Sequence, residues 1–451
     1  MMMKINLTDN SISEPFSRMQ LSSLFPFANK TIDALCKEND GLLLFPQCIR
    51  NSEDKIGDSP IFDIVNTDKP DDVRLVTGNV MGFIGVDNMQ INIKSRFDDG
   101  SENFFLHYML QKVMSYNLFD LGHQNDDDSI FDFLIFMFPR FLNYALEQGL
   151  YREYVINHKN DTFVKGAINV NRHISKNVPF QGKIAYTSRD YSCDNSLTQL
   201  IRHTIEYIKT KKIGTNLLQK DSITNSNVAA IIANTPSYSK NDRNKVIQKN
   251  LRVKQHPYYN HYVAIQKLCL QILRREETKY GEKDSALCGI LFDGAWLWEE
   301  YLNTILTKVG FAHPENKKGK GKIYLFEDYD DLNQLHRSGV RYPDFWKDGV
   351  VLDAKYKRIA HLEKVSKIDR NDIHQMVTYM YRLKASVGGF IAPADNEIIK
   401  IPTSRLAESD STISIFSLQI SRCKDYSIFC ENMIQNENRL LRNIQDVCKF
   451  V

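Results

Sequence analysis

One dipeptide constrains the C-terminal part of this chain more than any other feature. Asp348-Gly349 separates two short runs, Arg341-Tyr342-Pro343-Asp344-Phe345-Trp346-Lys347 and Val350-Val351-Leu352-Asp353-Ala354-Lys355-Tyr356-Lys357. An Asp-Gly pair between β-forming runs is a strong signal for a two-residue hairpin turn. With those residues as the loop, Lys347 faces Val350 and Asp344 falls directly opposite Asp353. Lys355, two residues beyond Asp353, points to the same face by strand alternation. Two facing carboxylates repel, and a stable sheet seldom holds them without a compensating cation. The run Val350-Val351-Leu352 leads into Asp353 and reads as a buried strand, where an unpaired carboxylate is costly. Two carboxylates and one ammonium on a single hairpin suit a hard, oxygen-liganded Mg2+ ion. The plainer alternative is a diagonal surface ion pair between Asp344 and Lys355, and the apolar context argues against it.

Metal-assisted phosphodiester cleavage would draw on a third carboxylate from a nearby helix. Residues 290–306 offer Glu299 and Glu300, which helical geometry separates. Leu291, Ala295, Trp298, Leu302 and Ile305 recur at three- and four-residue steps and define an expected buried stripe. At about 100° per residue, Glu299 borders that stripe and Glu300 falls nearly opposite. Glu299 is therefore the ligand candidate, and Glu300 a solvated charge. Downstream, Gln375 and Tyr379 are four apart on a predicted helix over residues 372–383, hence on one face.

At 451 residues the chain exceeds one ordinary domain. The alternating runs of residues 73–97, broken by Gly78, Gly82, Gly85 and the turn signal Asp87-Asn88, predict a β-rich N-terminal domain over residues 1–113 that ends in a helix at 104–113. Residues 114–256 read as mainly helical. An acidic loop at Asp126-Asp127-Asp128 precedes an aromatic helix, another helix covers 196–209, and a basic run spans 243–254. After Pro257 two long helices (258–277 and 286–309), a Lys/Gly loop, strands and the 372–383 helix predict an α/β unit over 257–451. The expected class is thus multidomain α+β with a C-terminal α/β core.

The longest run of consecutive apolar residues in the middle region, 133–138, is far short of the about 20 needed to span a membrane. The first residues lack an apolar signal core. None of the eight cysteines forms a Cys-x-x-Cys pair, as expected of scattered thiols in a reducing cytoplasm rather than a zinc or iron–sulfur site. A net charge of +3 excludes a uniformly basic DNA-coating protein but leaves room for a local basic cleft. No Gly-x-x-x-x-Gly-Lys-Ser/Thr is present, and Gly319-Lys320-Gly321-Lys322 lacks the earlier glycine and the hydroxyl residue.

Pro343-Asp344 followed by Asp353-Ala354-Lys355 resembles the PD-(D/E)xK nuclease motif. The preceding helix Glu299 and the following Gln375 and Tyr379 resemble its RecB-like branch, in the order that superfamily uses. The chain also resembles the McrC family through Gly78-Asn79-Val80-Met81-Gly82-Phe83-Ile84-Gly85-Val86, Gln148-Gly149-Leu150, Lys165-Gly166-Ala167-Ile168, Asp194-Asn195-Ser196-Leu197 and Trp298-Glu299-Glu300-Tyr301. It departs from the family at Asn92-Ile93-Lys94-Ser95, where a proline often precedes the lysine.

The resemblance implies a restriction-endonuclease-like core in residues 257–451 and a Mg2+-dependent (Mn2+ also suits the site) DNA endonuclease subunit of a two-component phage-defence system. Glu299, Asp344 and Asp353 would hold the metal, and Lys355 would orient water or stabilise the phosphorus. Lys317, Lys318, Lys320 and Lys322 would hold the backbone of double-stranded DNA. The partner would be a separate AAA+ GTPase or ATPase of the McrB kind, docked on the N-terminal domain or more broadly on residues 1–250. The alternatives are a partner-binding NTPase regulator with a vestigial nuclease fold, which the intact Asp344, Asp353 and Lys355 disfavour, and a stand-alone RecB-like nuclease.

Overall fold

Residues 286–309 do not form one helix, because Asp293 divides them. Its Oδ1 accepts the amides of Ala295 and Trp296 at 2.9 and 3.3 Å, an N-cap that starts the helix Gly294–Leu306. The preceding Cys288–Asp293 is a strand. In this computed structural model, which describes residues 3–39, 42–46, 55–86, 89–98, 103–114, 126–211, 214–219, 221–278, 287–314, 321–329 and 334–448, that strand decides how the chain is divided. It lies inside the N-terminal sheet, whose order is Met3–Thr8, Met89–Lys94, Val80–Val86, Cys288–Asp293, Leu42–Phe45. It runs antiparallel to Val80–Val86 and parallel to Leu42–Phe45. The approach needs glycine on both sides. A Cβ on Gly82 would lie 2.2 Å from the Ile290 carbonyl oxygen, and one on Gly289 2.1 Å from that of Phe83.

The compact units therefore differ from the three consecutive domains read from the sequence. Met1–Gly122 and Ser285–Val451 form one unit, and His123–Asp284 forms the other. The helix Phe104–Met114 falls where expected. Val80–Val86 and Met89–Lys94 pair as a hairpin through Val86 and Met89, while its turn residues Asp87 and Asn88 lie outside the described residues.

The first unit holds a second five-stranded sheet, ordered Phe345–Lys347, Val350–Ala354, Val387–Ala394, Thr412–Gln419, Thr403–Arg405. Its three middle strands are parallel, and both outer pairings are antiparallel. Every residue of Val387–Ala394 is buried, as a central strand covered on both faces requires. The helix Arg370–Leu383 makes the crossover from Val350–Ala354 to Val387–Ala394. Its Met376 and Met380 pack on Val351 and Phe390 in one apolar cluster.

The second unit is less purely helical than the sequence suggested. The helix Ser196–Lys209 begins at a capping box in which Asn195 accepts the amides of Leu197 and Thr198 and its own amide meets Thr198 Oγ1. Glu153–Asp161 and Ile184–Ser192, however, form an antiparallel pair with Ala167–Ile168 at its side. Asp126 to Asp128 open the helix Asp126–Leu146 rather than lying in a loop. In the basic run, Lys254 donates to both carboxylate oxygens of Glu153, so part of that charge is spent inside the unit. Among the described residues, no helix is long and apolar enough to cross a membrane.

Candidate active site

The hairpin forms in the register that Asp348-Gly349 dictates. Lys347 pairs with Val350, Trp346 with Val351 and Phe345 with Leu352, and Gly349 takes the turn at φ +72°. The ladder ends at Phe345, so Asp344 is not a strand residue opposite Asp353. Instead its carboxylate reaches across, and Oδ2 accepts the Ala354 amide at 2.8 Å. The two carboxylates still meet, by a side-chain route in place of the expected ladder pairing.

Asp353 is 3% exposed. Its Oδ2 lies 2.8 Å from Lys355 Nζ, close enough for strong attraction but without a well-formed hydrogen bond. Burial holds the Asp353 carboxyl above the usual carboxylate range despite the Lys355 ammonium. Asp344 is pushed well up by burial first, then by the charges of Glu299 and Asp353. Glu299 thus shares the electrostatic space of the hairpin pair, as the sequence required.

The helix Gly294–Leu306 presents Glu299 with a stripe shifted from the expected one. Trp298, Leu302 and Ile305 are buried as anticipated, but Ala295 is exposed and Leu291 belongs to the strand. Trp298 Nε1 donates to the Ile391 carbonyl at 3.3 Å, tying this helix to the central strand.

Lys355 is held from three directions. Its Nζ contacts Asp353 Oδ2 at 2.8 Å and Asp372 Oδ1 at 3.0 Å, and donates to Gln375 Oε1 at 3.2 Å. Burial alone would lower this ammonium, but Asp353 and Asp372 outweigh burial and raise it above the usual lysine range. Gln375 passes the network on, since its Nε2 donates to Tyr379 Oη at 2.6 Å and Tyr379 Oη donates to the Tyr342 carbonyl at 2.9 Å. Gln375 and Tyr379 therefore anchor the chain just ahead of Asp344.

Two residues of the site escaped the sequence reading. Asp372 stands three residues before Gln375 and seven before Tyr379 on one helix face, so its spacing could have found it. His313 had no such signal. It reaches the site because Ala312 bridges Trp346, a pairing between distant segments. His313 Nδ1 donates to the Asp344 carbonyl at 2.8 Å, Nε2 lies 3.9 Å from Glu299 Oε1, and the ring stacks on Phe345. It links both acidic residues to one imidazole. Lys317, Lys318 and Lys320 lie outside the described residues, and Lys322 is exposed just before the strand Ile323–Tyr329.

Among the described residues, no three His, Cys, Asp or Glu side chains already surround one point. The donor set nevertheless fits Mg2+. Hard carboxylate oxygens lie buried together, their ionisation opposed by burial and by one another, and Asp353 Oδ2 accepts no hydrogen bond.

A family model described as McrBC 5-methylcytosine restriction system component matches residues 75–393. A chain of the refined half-complex from the tetradecameric assembly of Thermococcus gammatolerans McrB AAA+ hexamers with bound McrC is 15% identical over 98% of this chain and 100% of that one, with a TM-score of 0.44. A chain of the Thermococcus gammatolerans McrBC complex is 15% identical over 68% of this chain and 87% of that one, with a TM-score of 0.32. Comparison with curated proteins gives no match.

Proposed function

The chain belongs to the McrBC 5-methylcytosine restriction system component family, and from that premise we propose that it is the nuclease subunit, a Mg2+-dependent DNA endonuclease that works with a separate AAA+ NTPase. The observation that carries this reading is the meeting of Asp344, Asp353 and Glu299 with Lys355 behind one hairpin. We read the sheet around that hairpin as a PD-(D/E)xK core, supported by the Asp344, Asp353 and Lys355 pattern and by the crossover helix that carries Gln375.

Glu299, Asp344 and Asp353 would hold Mg2+, which when bound supplies Lewis acidity toward a phosphodiester and eases deprotonation of water. Lys355 keeps its proton at neutral pH, so it serves as a fixed positive charge for the developing phosphorane and not as a general base. Asp372 and Gln375 hold that charge in place. His313 fixes the main chain at Asp344 and turns its second nitrogen toward Glu299.

The motor is assigned to another polypeptide because the sequence has no phosphate-binding loop of the NTPase type. Its docking surface is best sought on the sheet of the second unit. Tyr154, Ile156 and Tyr191 are each more than half exposed, and the Tyr154 and Tyr191 rings pack 5.1 Å apart across the strands. Exposed apolar groups gathered on one strand face mark interaction surfaces. This narrows the docking expected on residues 1–250 to one sheet. Truncation at residue 257 is a poor test, since it would remove Cys288–Asp293 from the N-terminal sheet.

The deciding experiment is NTP-driven cleavage of methylated DNA by the full chain together with its AAA+ partner. Parent protein should cut in Mg2+ and stop in EDTA, and Asp353→Ala should bind the partner without cutting. Equal cleavage by Asp353→Ala and parent would sink the assignment. Tyr154→Ser with Ile156→Ser should lose the partner at unchanged melting temperature, and retained co-purification would move the docking surface elsewhere.

A further inference from the structure

A second basic site lies one carboxylate away from the cluster. Lys357 Nζ donates to Asp372 Oδ2 at 2.9 Å, while the other oxygen of Asp372 contacts Lys355. Beyond Lys357, a cavity of about 350 Å3 is lined by Thr8, Asn10, Ser11, Arg96, Lys357 and Arg358. Its size falls within the range of ligand sites, about 300–1,000 Å3. Its lining does not resemble an apolar pocket, because three cations share it with two hydroxyls and an amide, and no carboxylate is among the lining residues.

Arg96 is fixed from behind. Its Nη2 donates to Asn79 Oδ1 at 2.7 Å and to the Tyr356 carbonyl at 3.0 Å, and its guanidinium lies 4.7 Å from the Tyr356 ring centroid. Arg96 Nε is buried with no hydrogen-bond partner. Arg358 is joined to the same wall through the Arg96 carbonyl at 2.7 Å and Asp395 Oδ2 at 2.5 Å. Three carboxylates stand behind the cavity: Asp9 near Arg96, Asp372 on Lys357, and Asp395 between Arg358 and Arg422. Leaving Lys355 to the cluster, Arg96, Lys357, Arg358 and Arg422 oppose those three and leave a positive surplus. Guanidinium forks and hydroxyls fixed beforehand are the groups that take phosphate oxygens.

We propose that this cavity holds a backbone phosphate of the DNA strand being cut, flanking the scissile one. The identity of that strand rests on the nuclease reading, and the cavity's chemistry does not. A free phosphate or nucleotide has the same chemistry. The chain's own connection favours DNA, because Asp372 couples Lys357 directly to Lys355, placing the two ammonium groups for successive phosphates of one strand.

The test is fluorescence anisotropy of a labelled duplex with the full chain over a salt series at low ionic strength, with Ca2+ replacing Mg2+ so that bound DNA stays uncut. Lys357→Ala with Arg358→Ala should weaken binding about tenfold and make the log–log salt dependence shallower by about 0.9 for each phosphate no longer neutralised. Arg358→Ala alone, which leaves Asp372 untouched, should give a smaller change of the same kind, with melting temperatures unaltered. Equal affinity and slope in parent and variants overturns the proposal, and so does absence of duplex binding by the parent. If inorganic phosphate raises the melting temperature of the parent but not the variant, while duplex binding is equal, the cavity serves a free anion and the proposal fails. The two readings fail separately. Weakened binding by the double variant alongside cleavage by Asp353→Asn removes the nuclease assignment and keeps the phosphate site, and the converse pattern removes only the phosphate site.

Discussion

Asp9→Asn should make stability less dependent on pH, by an amount set by the burial of one carboxyl. Asp9 is fully buried at the end of the strand Met3–Thr8. Its Oδ1 accepts the Arg96 amide at 2.5 Å, and its Oδ2 lies 3.4 Å from the Arg96 guanidinium. Burial outweighs that attraction and pushes the carboxyl from 3.8 up to about 6. Between those values the folded chain keeps a proton that the unfolded chain has lost, so stability falls as pH rises through the window. At about 1.4 kcal/mol per unit, the full effect is about 3 kcal/mol. About 2 kcal/mol of it falls between about pH 4.5 and about pH 7.5. Asn keeps an acceptor for the Arg96 amide and never ionises. The variant should therefore gain about 2 kcal/mol relative to the parent between the two pH values, or about 4–8 °C in melting temperature at the usual sensitivity of domains this large. Paired thermal and urea melts at both pH values give the difference, in which groups common to both proteins cancel. A difference flat with pH would mean that burial does not raise Asp9. A variant that loses ground as pH rises would mean that the Arg96 pairing dominates. Freed of Asp9, Arg96 should also bind duplex DNA more tightly.

Three further outcomes follow from the carboxylate cluster. Mg2+ at a hundred times its dissociation constant should stabilise the parent by about 2.7 kcal/mol, whereas Asp353→Asn should show little gain in differential scanning fluorimetry; equal gains would place the ion elsewhere. Glu299→Gln should slow cleavage far more than Glu300→Gln, because the charge of Glu299 reaches Asp344, and reversal of that order in folded proteins would reject the metal-holding role. His313→Ala should lower kcat with DNA affinity unchanged and cost about 1–3 kcal/mol of stability, because the Asp344 carbonyl loses a buried donor; an effect on affinity alone would contradict a positioning role.

What could be read from the residues was what is local. Asp348-Gly349 set a register that depends on a two-residue turn, and the structure keeps it from Lys347–Val350 to Phe345–Leu352. Glu299 was found with a partly wrong helix phase, because Trp298, Leu302 and Ile305 outweighed the misplaced Leu291 and Ala295. The strand Cys288–Asp293 was invisible for a physical reason. A fully buried strand followed without a break by an amphipathic helix makes one apolar run, and only Asp293 as N-cap marks the seam. The sheet of the second unit was missed because Tyr154 and Ile156 alternate outward, giving a strand with no buried apolar face to signal it. His313 required a pairing across segments that no window along the chain contains.

The strand Cys288–Asp293 also sets the order of events on the ribosome. Val80–Val86 acquires its second flanking strand, and Leu42–Phe45 its only partner in that sheet, when this late strand arrives. At about 5–20 residues per second, translating from Lys94 to Cys288 takes roughly 10–40 s. During that interval the nascent chain carries an open strand edge, the kind of surface that recruits other chains. The same strand runs straight into the helix bearing Glu299. Closing the edge and seating the acidic side chain are thus successive moments of one docking event, and a chain interrupted before that strand has neither.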